Sequence, residues 1–292
     1  MSPEVLDLIQ EKKEEEPQIL PNLDDATRVM SFNICWDNKE DYENCWSSRK
    51  NIVASMIRFH RVGLVGLQEP LLEQMNDLQE LLPEYSWCGI GLEDGCHKGV
   101  IDAIMYRKDQ YVLLESSGFF LSPTPDVPSK GWDAKFQRGA AWALFEHIKT
   151  QKRFYFFNTH FDYHSRLARD KSAELLRQKI HEIAGDIPFV VTGDFNLFPQ
   201  LGGSETYEML VEPSHKENLV EMVDAQYTSE FPHHGPTGSW SGFEEPGQPG
   251  IKPDCIFVHP KIRVITHGIL TDTFDGNKFP SDHLPVVTDL LL

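Results

Sequence analysis

Apolar residues along this chain fall into short runs that end on polar ones. Arg28-Val29-Met30-Ser31-Phe32 alternates and predicts a strand ending at Asn33. Val62-Gly63-Leu64-Val65-Gly66-Leu67 is a continuous apolar run, the pattern of a strand buried on both faces, and it leads into Gln68-Glu69. Between them Ile52, Val53, Met56, Ile57 and Phe59 recur at helical spacing and predict a helix from Trp46 to His60. Leucines and Met75 over Leu71–Leu82 predict a second helix, which Pro83 stops. The clearest helix spans Ser165–Ala184, with Ala168, Leu175, Leu176, Ile180 and Ile183 on one face, and a shorter one surrounds Tyr207–Val211. Further strands are predicted at Tyr85–Gly89, Val100–Tyr106, Val112–Leu114, Ala140–Ile148, Arg153–Asn158, 189–192, Cys255–Val258, Val264–Leu270 and Val286–Leu290. Ser122–Trp132 is Pro-rich and reads as an ordered loop, whereas residues 230–250 are a Pro- and Gly-rich region that serves either as a lid or as a passive loop. No sequence repeat of fixed period is present. Helices mixed with many short strands predict an α/β domain built on mixed sheets.

Two regions follow from this pattern: a charged tail and linker over residues 1–27, and one folded domain over residues 28–292. The tail combines a short helix on Val5, Leu6 and Ile9 with a linker at Pro17 and Pro21, and is either partly ordered or a docking helix for a partner protein. Forty-five acidic against 27 basic residues give a formal charge of −18, which repels polyphosphate backbones and disfavours extended nucleic-acid binding. The five cysteines are scattered, with no C-x-x-C pair, so a reducing, cytoplasmic setting is expected rather than a disulfide framework or a zinc knuckle. No apolar run approaches the ~20 residues of a membrane span.

The polar residues that close the apolar runs include Asn33, Glu69, His160, Asp162, Asp194, Asn196, Asp254, Asp282 and His283. An Asp or Asn after a strand is ordinarily a turn or cap. So many together at strand ends mark a site on an α/β scaffold, and the chain is read as an enzyme. Asp194 and Asn196, two residues apart on an extended segment, can address one reacting group. Hard oxygen donors and neutral histidines without a thiolate suit Mg²⁺ or Mn²⁺ better than zinc.

Ser31-Phe32-Asn33-Ile34, Leu67-Gln68-Glu69, Asn158-Thr159-His160, Gly193-Asp194-Phe195-Asn196, Pro253-Asp254-Cys255-Ile256-Phe257-Val258 and Ser281-Asp282-His283-Leu284-Pro285-Val286 resemble, in order, the motif set of the endonuclease/exonuclease/phosphatase (DNase I-like) superfamily. Residues 120–133 and 159–169 resemble a small, single-domain, bacterial-type subgroup. The resemblance covers roughly residues 28–292 and implies a four-layer sandwich of two packed mixed β-sheets flanked by helices. It also implies Mg²⁺-dependent hydrolysis of a phosphodiester or phosphomonoester, with a small or lipid-like substrate expected here. A nuclease and a catalytically inactive scaffold are the alternatives.

Carried over by resemblance, Glu69 is the principal metal ligand, helped by Asn33 and by Asp282 through water. Asp194 orients or deprotonates the attacking water, and Asn196 holds that water or a phosphoryl oxygen. His283 is general base or electrostatic partner with Asp254 on its other nitrogen, and His160 donates to a non-bridging oxygen. Arg138 stands where the family often has a phosphate-contacting arginine, an exposed salt bridge being the alternative. Asp162, Arg166 and Arg169 are candidates for substrate binding, the two arginines sharing a helix face close after His160. Trp36, Trp46, Trp132 and Trp240 are candidates for stacking or for packing. Cys35 departs from the abasic-site endonucleases, which carry an aspartate there, and is expected to be a small buried apolar residue.

Overall fold

The computed structural model describes residue 23 and residues 25–213, 218–245, 247, 249–276 and 278–292. The helix and linker expected before residue 23 lie outside these.

Among the described residues, twelve strands form two sheets of six. They are β1 (Thr27–Asn33), β2 (Leu64–Gln68), β3 (Tyr85–Gly91), β4 (Ile101–Arg107), β5 (Tyr111–Phe120), β6 (Gly139–His147), β7 (Arg153–His160), β8 (Phe189–Asp194), β9 (Val223–Asp224), β10 (Asp254–Val258), β11 (Arg263–Ile269) and β12 (Val286–Leu291). The first sheet has the order β11-β12-β1-β2-β4-β3 and the second β5-β6-β7-β8-β10-β9. Both are mixed, each with one parallel pair, β1 with β2 and β7 with β8, joined by a crossover helix. Those helices are α1 (Trp46–Phe59) and α3 (Arg166–Ala184); α2 (Leu72–Leu81) and α4 (Gly203–Val211) follow β2 and β8. The serine expected inside the third helix is its N-cap, where Ser165 Oγ accepts from Ala168 N.

Side-chain alternation assigns the layers. Val29 and Leu64 of one sheet, with Phe154, Phe156, Val190 and Ile256 of the other, meet in the core between the sheets. Their neighbours point the opposite way: Met30, Phe32 and Val65 pack on α1 and α2, and Phe157, Val191 and Phe257 on α3 and α4. The result is the predicted four-layer sandwich. Towards one end of the strands the inward face turns polar. Gln68 Nε2 donates to Asn158 Oδ1 at 2.6 Å across the sheets, and Thr192 Oγ1 donates to the same oxygen at 3.0 Å. Here the sheets approach so closely that a Cβ on Gly66 would lie 1.9 Å from Thr192 Oγ1. Beyond this polar rung the sandwich opens, and the next inward-facing residues form the site.

The sequence pattern understates β5, which runs from Tyr111 to Phe120 rather than over three residues. It is an edge strand whose middle, Glu115-Ser116-Ser117, is exposed, so pairing with β6 rather than apolar burial holds it.

Candidate active site

Inward-facing residues at the strand ends meet here: Asn33 from β1, His160 from β7, Asp194 from β8 and Asp254 from β10, all buried. Loop residues Glu69, Arg138, Asn196, Asp282 and His283 complete the group, and the open cleft above is lined by Cys35, Trp36, Glu69, Arg138, His160, Asp194, Asn196, Trp240, Asp282 and His283 among others. Cys35, Glu69 and Asn196 take positive φ angles of 55°, 70° and 51°. Non-glycine residues in that region cost about 1–3 kcal/mol each and persist only where surroundings enforce them. In this site they turn the chain sharply after a strand and bring these side chains to the cleft.

The centre of the cluster is the Asp194 carboxylate. Oδ1 accepts from the Asn196 backbone N–H at 2.9 Å, and Oδ2 accepts from Asn33 Nδ2 at 3.0 Å and from His160 Nε2 at 3.2 Å. Burial works against its charge, yet His160 and His283 outweigh burial and hold the carboxyl well below the usual range. The tautomer of His160 follows from its other neighbour. Arg138 Nη1 lies 2.9 Å from His160 Nδ1 and can only donate, so Nδ1 accepts and Nε2 carries the hydrogen. Both ring nitrogens are thereby engaged, so His160 orients Asp194 and Arg138 instead of offering a free N–H to substrate as expected.

A second pair stands beside it. His283 Nδ1 donates to Asp254 Oδ2 at 2.8 Å, and Ser239 Oγ donates to the same oxygen at 2.6 Å. Burial opposes charge on His283, but Asp254 and then Asp194 outweigh it and raise its pKa well above 6.5. Burial pushes the Asp254 carboxyl up to about 6, still leaving the proton on His283 at neutral pH. His283 Nε2 is 3.7 Å from Asp194 Oδ2, and the Trp240 ring meets the imidazole edge-on at 4.9 Å between centroids.

Two carboxylates remain. Glu69 Oε2 accepts from the Trp36 backbone N–H at 3.2 Å, and its Oε1 is 4.0 Å from His160 Nδ1. Asp282 is raised from the ordinary carboxylate range by burial and by Glu69. Two carboxylates facing one cleft fit a cation held between them. Asp194, Asp254 and His283 also place potential ligand atoms within 4.8 Å of one another. That group suits a metal less well, because Nδ1 is committed to Asp254 and an imidazolium offers no lone pair.

Several expectations are corrected. Asn33 Oδ1 accepts from Cys35 N and its Nδ2 donates to Asp194 Oδ2, so its amide positions Asp194. Asp162 does not reach the cleft; its oxygens accept from the backbone N–H groups of Lys135, Phe136, His164 and Ser165. Arg169 is buried and donates to the carbonyls of Asp162, Tyr163 and Leu201. Arg166 is half exposed and pairs with Asp170 and Glu205. Neither arginine lines the cleft; Arg169 supports it from behind, through the backbone of Tyr163 and Leu201. Arg138 is buried against His160, not an exposed salt bridge. Cys35 lines the cleft beside Asp282 and Glu69, and burial keeps its thiol protonated. Trp36 and Trp240 line the cleft, whereas Trp46 is buried with Nε1 donating to Asp77. The segment 239–242 is neither lid nor bystander, since Ser239 holds Asp254 and the Ser241 and Gly242 N–H groups donate to the Asp282 carbonyl.

Sequence reasoning missed Ser239, and it missed Arg49. The buried Arg49 guanidinium donates to the carbonyls of Ile34, Cys35, Asn44 and Pro280, pinning the two loops that carry Cys35 and Asp282. Its signal was available: position 49 falls on the same helical stripe as Trp46 and Val53.

The sequence pattern of the Endonuclease/Exonuclease/phosphatase family matches residues 30–283. A mannosyl-6-phosphatase from Bacteroides thetaiotaomicron VPI-5482 is 33% identical, with a TM-score of 0.83 over 91% of this chain and 100% of that one. An endonuclease/exonuclease/phosphatase from Bacteroides vulgatus is 38% identical, also with a TM-score of 0.83, over 91% of this chain and 99% of that one. An uncharacterized protein of Acanthamoeba polyphaga mimivirus is 28% identical over 179 residues, 58% of this chain. The match spans 66% of that viral protein and 35% of a second one.

Proposed function

Because the chain belongs to the endonuclease/exonuclease/phosphatase family, whose members are hydrolases acting on phosphoesters, we propose that it hydrolyses a phosphomonoester of a small alcohol by direct attack of water. The observation that carries this is the convergence of the Glu69 and Asp282 carboxylates, the Asp194 cluster and the Asp254–His283 pair on one cleft. The mannosyl-6-phosphatase among the similar structures supports the monoester over the diester.

Phosphate esters resist hydrolysis because their negative oxygens repel a nucleophile, so the catalyst must neutralise charge and place the water. Glu69 and Asp282 would hold a divalent cation, Mg²⁺ or Mn²⁺, which would supply charge neutralisation to the ester when bound. Asp194 accepts a hydrogen bond from the attacking water and takes its proton as the bond to phosphorus forms. A carboxylate of low basicity suffices, because the water becomes strongly acidic as its oxygen gives up electron density. Asn33, His160 and the Asn196 backbone fix the orientation of that carboxylate. The His283 imidazolium donates from Nε2 to a phosphoryl oxygen as charge builds, with Asp254 holding the ring and its charge. Arg138 stands at the cleft wall as a second cation. The ester P–O bond breaks and the departing alkoxide is protonated from solvent.

Phosphate release from monoesters, followed with Mg²⁺, with EDTA and with Asp194→Asn, tests the reading. Hydrolysis abolished by the chelator and by the substitution is the expected result. Activity that survives both would sink it.

A further inference from the structure

Beside the catalytic cleft, and sharing Trp36, Glu69, Arg138 and Tyr163 with it, runs a groove of about 620 Å³. Its walls include Trp36, Phe136 and Tyr163, and Glu93, Gln137 and Val100 also line it. The three aromatic residues are 47%, 51% and 37% exposed. Large rings left in solvent on a floppy loop would mean little, but these are mounted on pinned backbone. Trp36 N donates to Glu69 Oε2, and the N–H groups of Lys135 and Phe136 both donate to Asp162 Oδ2. Lys135 Nζ in turn donates to the Tyr163 hydroxyl at 2.6 Å, and the Phe136 and Tyr163 rings lie 6.2 Å apart. The buried Asp162 therefore builds the groove wall without touching what fills it. Glu93 sits on a hairpin closed by its N–H donating to the Lys98 carbonyl. Gly99 makes room for its stem, since a Cβ there would lie 2.7 Å from Glu93 Cγ.

We propose that this groove is the subsite for the alcohol side of the ester, and that its occupant is a hydroxylated ring, a sugar, stacked on the fixed aromatic faces with hydroxyls bonded to Glu93 and Gln137. The inference rests on the phosphomonoesterase reading of the adjoining cleft. Aromatic faces pack against the C–H face of a pyranose, while a carboxylate and a carboxamide pair with its hydroxyls. A lipid tail would leave Glu93 desolvated without a partner. A polynucleotide would bring a neighbouring phosphate beside the Glu93 carboxylate.

The test compares kcat/KM for aldohexose 6-phosphates with that for ethyl phosphate, which has neither ring nor hydroxyl, in the native enzyme and in Glu93→Gln and Phe136→Ala. The native enzyme should prefer the sugar ester by at least about tenfold, and each substitution should narrow that preference about tenfold through KM for the sugar ester, as loss of one or two contacts implies. Glu93 is exposed, so its variant folds and the comparison stands even if Phe136→Ala does not. Hydrolysis of both esters without preference, or equal losses on both, overturns the subsite while leaving the phosphoesterase reading intact. Failure to hydrolyse any monoester overturns both. Where the preference is found, matching a free hexose 6-phosphate against its methyl glycoside separates a free sugar from the end of a glycan.

Discussion

Asp254→Asn keeps the shape of the dyad and removes its charge. In the native protein that carboxylate accepts from His283 Nδ1 at 2.8 Å and from Ser239 at 2.6 Å, both buried. It is also the first charge that outweighs burial to keep His283 protonated well above 6.5. A hydrogen bond to a charged group contributes about 1.5–3 kcal/mol, and breaking a buried charged pair costs about 3–5 kcal/mol. If roughly 3–4 kcal/mol of that is felt as charge builds on the phosphoryl oxygens, kcat falls about 10²–10³-fold, since each 1.36 kcal/mol is a factor of ten. The sign with pH is fixed by the same geometry. The native His283 charge, and the activity that depends on it, is present at low pH and is lost as pH rises through the raised pKa. Without Asp254 the pKa drops, so the alkaline limb of the kcat profile moves to lower pH. Steady-state kinetics across pH, with circular dichroism to confirm folding, makes the comparison. A variant whose kcat stays within about threefold of native, with its alkaline limb unmoved, refutes the role given to the dyad.

Other outcomes follow from the same contacts. Arg49→Met leaves four carbonyls without their donor and should cost at least about 3 kcal/mol in urea unfolding while lowering activity, because both loops it pins carry cleft residues; a loss under about 1 kcal/mol would contradict its assigned role. Arg166→Ala, whose partners are exposed or partly so, should change stability by no more than about 1 kcal/mol and leave kcat/KM untouched. His233 Nε2 donates to the Pro236 carbonyl at 2.7 Å, so its Nδ1 accepts from His267 Nδ1 at 2.8 Å and His267 is neutral. Burial, with Lys252 and His233, pushes the His267 pKa down to about 2 from 6.5. Its contribution is therefore present above pH 6.5 and is lost as pH falls below it, at up to about 1.4 kcal/mol per pH unit. Urea midpoints between pH 7 and 4 should show this slope in the native protein and a shallower one in His267→Phe.

Strand and helix patterns carried most of the fold because burial on both faces writes itself as continuous apolar runs, as at 62–67 and 154–157. What they could not carry was structure set by strand pairing rather than by an apolar pattern: the exposed middle of β5 at Glu115-Ser116-Ser117, and the two-residue edge strand β9 at Val223–Asp224. In the site, the residues that close inward-facing strands could be read from the chain, since alternation aims Asn33, His160 and Asp194 into the seam. Roles were harder to read. Arg169 and Asp162 carry charges at the right distance from His160, but they spend them on backbone groups, and no sequence pattern separates a charge that binds ligand from one that holds a loop. Ser239 was out of reach for another reason: it meets Asp254 through a Gly- and Pro-rich stretch whose path has no period.

The two strand orders match position by position: β11, β12, β1, β2, β4 and β3 of one sheet correspond to β5, β6, β7, β8, β10 and β9 of the other, with the same parallel and antiparallel pairings. Each half of the chain thus builds four strands of its own sheet and lends its last hairpin to the other, like a swapped dimer fused into one polypeptide. Neither half can complete a sheet alone, so a chain opened in the turn at 148–152 should yield two pieces that fold only on meeting. The correspondence reaches the chemistry. Asp102 stands in β4 where Asp254 stands in β10, and Arg138 precedes β6 as His283 precedes β12. One carboxylate–cation couple bonds and faces the cleft. Its twin has come apart: Arg138 has turned to His160, and Asp102, buried with Oδ2 unpartnered, is raised well above the carboxylate range by burial. Two copies of one plan have been spent differently, one as a bonded pair beside the cleft and the other on holding its wall.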